Sequence, residues 1–243
     1  MTRLIAFLYG VVCYVIFFGT FLYAIGFVTN LYVPKSIDSP PTTSLGHALL
    51  VNALLLGVFA VQHSGMARQG FKRAWAKIVP PPVERSTYVL FASLALLLLF
   101  WKWEPMGGVV WDVQNQTARV VLLAMSLAGW VIVLVSTFLI NHFDLFGLRQ
   151  VYLHLVGREY HHLGFRTPAL YNYVRHPIYL GFVVAFWFAP TMTVAHLVFA
   201  LATTAYILIA IQLEERDLVE FYGSAYQAYR ARVSMLMPLP PKR

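Results

Sequence analysis

Long apolar blocks alternate with shorter polar ones along the chain, and the blocks are too long for strands. A helix that crosses a bilayer needs about 20 predominantly apolar residues. Residues 4–28 meet that length. Arg3 precedes them and no small-residue cleavage site follows, so they predict a retained anchor. Residues 47–62 predict a second, shorter span. Residues 88–101 form the core of a third, with Ser86 and Thr87 as capping residues, and 118–140 form a fourth. A polar connector follows. Apolar character returns over 179–211 and breaks at Pro190-Thr191, which predicts a helical hairpin with one short arm. The expected fold is all-α: a polytopic membrane bundle of five to six spans, the last two a hairpin.

Two helices outside the spans are legible. Over 67–79, Phe71, Ala74, Trp75 and Ile78 share one face while Arg68, Lys72, Arg73 and Lys77 share the other. That pattern predicts a helix lying on anionic headgroups, ended by Pro80-Pro81-Pro82. Over about 214–233, Leu218, Phe221, Tyr222, Ala225, Tyr226, Tyr229 and Val233 recur at helical spacing and predict a C-terminal cytoplasmic helix. The chain reads as one domain, 1–243. Within it, 1–140 carries four spans, and 141–243 carries the connector, the hairpin and the closing helix. No internal repeat is visible.

Composition agrees with the pattern. Hydrophobic residues make up 59% and charged residues 12%, against roughly 25% charged in soluble chains. A single cysteine, Cys13, excludes an internal disulfide and a cysteine-rich zinc site. The net charge of +8 would suggest nucleic acid in a soluble protein, but its distribution follows topology. Fifteen basic residues fall on one side, including Arg68, Arg85, Arg149, Arg175, Arg230, Lys242 and Arg243. Only Lys35, Lys102 and Arg119 fall on the other. The basic side is then cytoplasmic, with both termini inside, and no nucleic-acid partner is expected.

Ionisable groups beside spans are costly and are functional candidates by default. Gln62 and His63 close the second span. Asn141, His142 and Asp144 close the fourth, with Arg149 just beyond. Arg175 and His176 precede the hairpin, and Glu214 and Glu215 follow it. All four groups are expected at the same cytoplasmic boundary. Together they offer cations, anions and the aromatic rings Tyr171, Tyr173, Tyr179 and Tyr222, a set suited to a zwitterionic ligand with an aromatic ring. No metal site is indicated.

The order of these residues is specific. Arg175-His176-Pro177-x-Tyr179-x-Gly181 opens the hairpin. Pro177 suits a first helical turn, and Gly181 permits close approach of another backbone or a ligand. Glu214-Glu215-x-x-Leu218-x-x-x-Tyr222-Gly223-x-x-Tyr226-x-x-Tyr229-x-x-x-Val233 closes it. This pair resembles the isoprenylcysteine carboxyl methyltransferase superfamily of integral-membrane methyltransferases, over about the last seventy residues. It departs at Tyr222, usually Phe there, and at Ser234, usually Pro. A narrower resemblance is to bacterial methanethiol S-methyltransferases. It rests on Asn141-His142-Phe143-Asp144-Leu145-Phe146-Gly147-Leu148-Arg149-Gln150, on Phe165-Arg166-Thr167-Pro168-x-Leu170-Tyr171 and on Pro190-x-Met192-Thr193.

The resemblance implies S-adenosylmethionine as cofactor, held without a Rossmann domain, and a small thiol as acceptor. Members of the narrower group convert methanethiol to dimethyl sulfide. It implies Arg175 and His176 at the donor's amino-acid end and Pro177 and Tyr179 walling the adenosine. Glu214 or Glu215 would sit on the ribose hydroxyls or the ammonium, and Tyr171 and Tyr222 would close the pocket. A thiol must lose its proton, and an alkanethiol is less acidic than cysteine, near 8.5. His142, Asp144 and His63 are therefore candidate bases, and Arg149 is the candidate for stabilising charge or orienting Asp144. The alternatives are a prenylcysteine carboxylate or a phospholipid amine as acceptor, or a haem-binding protein or transporter. The expected partners are a small thiol and the lipid bilayer of a bacterial inner membrane. No residue pattern sets an oligomeric state.

Overall fold

The protein is described from a computed structural model over residues 2–239, so Lys242 and Arg243 lie outside the described residues. It is an all-α polytopic membrane protein with a single two-stranded ribbon among the described residues. Five helices are long and apolar enough to cross a membrane. The chain divides into two compact units, residues 1–108 with 142–162 and residues 109–141 with 163–243.

The first unit contains α1 (Arg3–Thr29), α2 (Leu45–Ala67), α3 (Gln69–Trp75), α4 (Pro81–Lys102), and, in its second segment, the short helices α6 (His142–Leu145) and α7 (Leu148–Leu155). Thr2 caps α1 and Ser44 caps α2, each hydroxyl accepting a backbone N–H of the first turn. Ser86 and Thr87 do not cap α4 as the sequence pattern predicts. They are buried inside it, and the helix starts earlier because Pro81 and Pro82 occupy its first positions, where a missing N–H costs nothing. The prolines that end the basic helix thus also begin the next span. They leave α3 at seven residues, shorter than the predicted 67–79. At the other end of α4, the fully buried Asn52 side chain clamps the Glu104 backbone. Its Nδ2 donates to the carbonyl at 2.7 Å, and its Oδ1 accepts from the N–H at 2.9 Å. An amide buried in an apolar helix is tolerable only when both its ends are bonded in this way.

The second unit contains β1 (Val109–Asp112), α5 (Gln116–Ile140), α8 (Pro177–Trp187), β2 (Thr191–Thr193), α9 (Val194–Tyr222) and α10 (Ser224–Arg232). The eleven residues of α8 rise only about 16 Å, half of a hydrocarbon core about 30 Å thick. The chain continues as an extended segment, and β2 pairs antiparallel with β1 at Val109↔Thr193, Trp111↔Met192 and Asp112↔Thr191. The predicted break at Pro190-Thr191 is therefore a strand and not a simple turn. Backbone groups here need partners that lipid cannot supply. The ribbon provides them, aided by Val113 N–H to the Pro190 carbonyl and Trp111 Nε1–H to the Ala189 carbonyl. His196 lies in the first turn of α9, because Thr193 caps that helix. Its Nε2 is bonded to the Phe186 carbonyl oxygen at 2.9 Å. The predicted helix over 214–233 is two pieces. Residues Glu214 to Tyr222 are the end of α9, and the chain breaks at Gly223, whose φ is +58°.

α5 and α8 meet through small residues. A Cβ on Gly129 would lie 2.6 Å from the Gly181 carbonyl oxygen, and one on Gly181 would lie 2.7 Å from that of Gly129. Ser126 Oγ donates to the Ala185 carbonyl in the same seam. Close backbone approach of this kind drives helix association in lipid, where apolar area alone gives no preference. Gly181→Val should force the seam apart and cost about 1–3 kcal/mol. A thermal-unfolding scan of the purified variant should show a lower Tm, with Gly57→Val, which meets nothing within 4 Å, near wild type.

Candidate functional site

The polar residues at the end of α9 and the start of α8 form a closed network in the second unit. Glu215 is 5% exposed. Its Oε1 accepts from Arg175 Nε at 2.7 Å and is 3.0 Å from His176 Nε2. A buried carboxylate without such partners would be strongly disfavoured. His176 Nδ1 is 3.9 Å from Glu214, whose side chain is half exposed. Arg175 also donates through Nη1 to the carbonyls of Arg230 and Val233. The backbone joins the arrangement. Val174 bridges Ser234 in parallel, Arg175 N–H donates to the Ser234 carbonyl, and His176 N–H donates to the Met235 carbonyl. The chain beyond α10 is therefore strapped across the entry to α8.

The remaining residues named from the sequence in this unit fall around that network. Pro177 is fully buried at the first position of α8. The Tyr179 ring lies 5.6 Å from that of His176. Tyr171 is buried, accepts at its carbonyl from Tyr229, and donates its hydroxyl to the Ser136 carbonyl. Tyr222 donates to the Leu163 carbonyl at 3.3 Å and packs on Phe165. Gly181 faces α5, so the close approach it permits is that of a backbone. Arg175 has its Nε and Nη1 engaged by this chain, which makes it an orienting group for Glu215.

Sequence reasoning passed over Tyr226, reading it only as part of an apolar stripe. It is 2% exposed, and its hydroxyl has no hydrogen-bond partner. Burial raises the pKa of Tyr226 above the tyrosine range, with Glu215 adding to the effect, and burial raises Tyr229 to about 12. Both phenols stay protonated at neutral pH and act as donors. A buried donor without an acceptor is costly and asks for one. A ligand presenting oxygen or nitrogen acceptors beside Glu215 and His176 would supply it. The set therefore suits a ligand that carries both hydrogen-bond donors and acceptors.

The first unit holds a second polar cluster. His142 is 2% exposed, and its Nε2 lies 2.8 Å from the Tyr14 hydroxyl of α1, beside Phe146. Gly147, with φ of +89°, turns the chain between α6 and α7. The turn brings Arg149 Nη1 to Asp144 Oδ1 at 2.8 Å. Tyr160 donates toward the other Asp144 oxygen at 3.4 Å and lies under the Arg149 guanidinium. His63 stands apart from this group in its contacts. Its ring meets the Tyr88 hydroxyl at 3.0 Å and stacks on Phe59. Of the four candidate catalytic residues, Asp144 and Arg149 form a direct ion pair. Among the described residues no group of three or more metal-ligating side chains occurs.

Burial holds the His142 pKa below its ordinary value of about 6.5. The folded state then keeps His142 neutral, whereas the unfolded chain takes up a proton as pH falls through 6.5. Stability from this site is present above about pH 6.5 and is lost below it. Melting curves from pH 7.5 to 5 should show a falling Tm for the wild-type protein and a shallower fall for His142→Gln.

No family model and no solved structure matches the chain. Curated relatives do. Methanethiol S-methyltransferase 1 of Bradyrhizobium diazoefficiens is 58% identical over 236 residues, covering 97% of this chain and 83% of its own. Methanethiol S-methyltransferase of Mycobacterium tuberculosis is 56% identical over 240 residues, covering 99% and 98%. Nurim of Mus musculus is 30% identical over 173 residues, covering 68% and 65%.

Proposed function

The chain belongs to the methanethiol S-methyltransferase family, and from that premise we propose that it methylates methanethiol to dimethyl sulfide, with S-adenosylmethionine as donor. The observation that carries the donor site is the Arg175–His176–Glu215 network with the unpartnered Tyr226 hydroxyl beside it. When bound, S-adenosylmethionine supplies a sulfonium methyl open to in-line attack by sulfur.

The chain's own residues do the rest. Glu215, fixed by Arg175 and His176, offers its second oxygen to ammonium or ribose hydroxyls. Glu214, half-exposed on the same turn, does likewise. Tyr226 donates to an acceptor of the donor molecule, while His176, Pro177 and Tyr179 form the wall for its adenosine. The strap beyond α10 and the ring of Tyr222 keep water from this face. In the first unit, neutral His142 and the Asp144 carboxylate are the groups able to accept the thiol proton, and Arg149 orients Asp144. His63 remains a third proton acceptor in this proposal. Much of the acceleration comes from positioning and exclusion of water. Residues 1–243 act as one domain, with the basic rim on the cytoplasmic face of a bacterial inner membrane and both termini inside.

Headspace analysis of cells expressing the protein and fed methanethiol should detect dimethyl sulfide, with His176→Ala abolishing it. A prenylcysteine and a lipid amine should give no methylated product. Calorimetry with S-adenosylhomocysteine should show binding lost in His176→Ala and weakened about fivefold in Tyr226→Phe, the value of one neutral hydrogen bond. Wild-type affinity in both variants would refute the assignments.

A further inference from the structure

One buried acceptor in the first unit has no role in the account above. Gln150 lies on α7 and is 9% exposed. Its Nε2 donates to the Asp144 carbonyl at 3.1 Å and approaches Asp144 Oδ1 at 3.5 Å. These two acceptors set the orientation of the amide. Turned over, Gln150 would place its oxygen against both Asp144 oxygens and lose every donor contact. Oε1 must therefore face away from Asp144, and there it is buried with no hydrogen-bond partner. The backbone beneath it is held firmly. The next residue, Val151, is fully buried against Gly10 of α1, where even a Cβ would come within 2.6 Å of it.

Two donors of this cluster are directed elsewhere. Arg149 Nη1 is directed at Asp144 and the His161 carbonyl, and the Tyr160 hydroxyl is directed at Asp144. A buried amide oxygen is an acceptor only, and leaving it unmet is expensive. Its surroundings also select the charge of what meets it. The Asp144 carboxylate beside the same amide is already paired with Arg149, so the acceptor asks for a neutral donor and not for a compensating cation. An alkanethiol at neutral pH is such a donor, since its pKa lies above the cysteine value of about 8.5.

We infer that Gln150 Oε1 accepts the S–H of the substrate thiol and so selects thiol over thioether. The inference rests on the methyltransferase reading given above. Holding the thiol in this way breaks no bond: the amide positions the neutral thiol, and the proton must still pass to His142 or the Asp144 carboxylate before the sulfur attacks the methyl. The product has no S–H. Bound in the same place, dimethyl sulfide would leave Oε1 buried and unmet, so the group that admits the substrate also favours departure of the product. A site built around a hydrogen bond rejects the analogue that lacks the donor far better than an apolar pocket could.

The test uses the full-length protein in phospholipid vesicles, with methanethiol as substrate and dimethyl sulfide as competing ligand. Gln150→Met keeps the length of the side chain and removes the oxygen. The KM for methanethiol should rise about fivefold while the inhibition constant of dimethyl sulfide stays put, so that discrimination between the two falls by the same factor. Affinity for S-adenosylhomocysteine should not change. An unchanged KM overturns the inference, and so does an equal loss for thiol and thioether, which is what mere distortion of the site would produce. Should Gln150→Met fail to fold, the wild-type protein decides the matter by infrared spectroscopy. The S–H stretch of bound methanethiol should move to lower frequency than in hydrocarbon solvent, and an unmoved band overturns the inference. A wild-type protein that binds S-adenosylhomocysteine yet forms no dimethyl sulfide refutes the acceptor reading itself, and the role of Gln150 falls with it.

Discussion

A carboxylate at 5% exposure cannot remain ionised without hydrogen-bonding and charged partners in contact, and Glu215 obtains them from a segment forty positions earlier in the chain. Arg175 and His176 both reach the same oxygen. The requirement ties the entry of α8 to the far end of α9. Because Arg175 also donates to the carbonyls of Arg230 and Val233, it ties down α10 and the strap that follows. Removing Arg175 would leave a buried carboxylate without its cation, typically a loss of about 3–5 kcal/mol. One ionic contact therefore ties together the polar end of the second unit.

The apolar end of that unit obeys a different constraint. Lipid offers no partner to a free N–H or carbonyl, so every departure from helix needs one from protein. The eleven residues of α8 are too few to cross. The extended continuation is tolerated because β1 stands beside it, and α8 itself is held by a contact in which Gly129 and Gly181 let two backbones meet. Asp112 at the ribbon accepts from both Arg119 and Thr191, which joins the start of α5 to the start of α9.

The two polar clusters differ in chemical character. The one around Glu215 is ionic and rimmed by protonated tyrosines, fit for a charged, hydroxyl-bearing ligand. The one around Asp144 pairs an acid with Arg149 and sits near a histidine that burial keeps neutral. Gln150 belongs to the second and Tyr226 to the first. Neither stood out in the sequence, for the same reason: a glutamine at the end of a polar segment and a tyrosine in an aromatic stripe read no differently from their neighbours. What marks them is an atom buried without a partner.

Hydropathy and residue order alone determined that the chain is a helical membrane protein, that its last apolar block turns back on itself, and that Arg175-His176 and Glu214-Glu215 bracket that turn. These follow from local physics, since a span must be apolar over its own length and charges must sit at its ends. Only the tertiary structure decided which of those charges are already engaged by the chain, that Gly181 faces a helix, that Pro81 starts α4 in place of Ser86, and that Thr191–Thr193 is a strand. Each of these depends on a partner distant in the sequence. Burial and hydrogen-bond satisfaction are properties of the assembled neighbourhood, and no window along the chain contains both halves of such a contact.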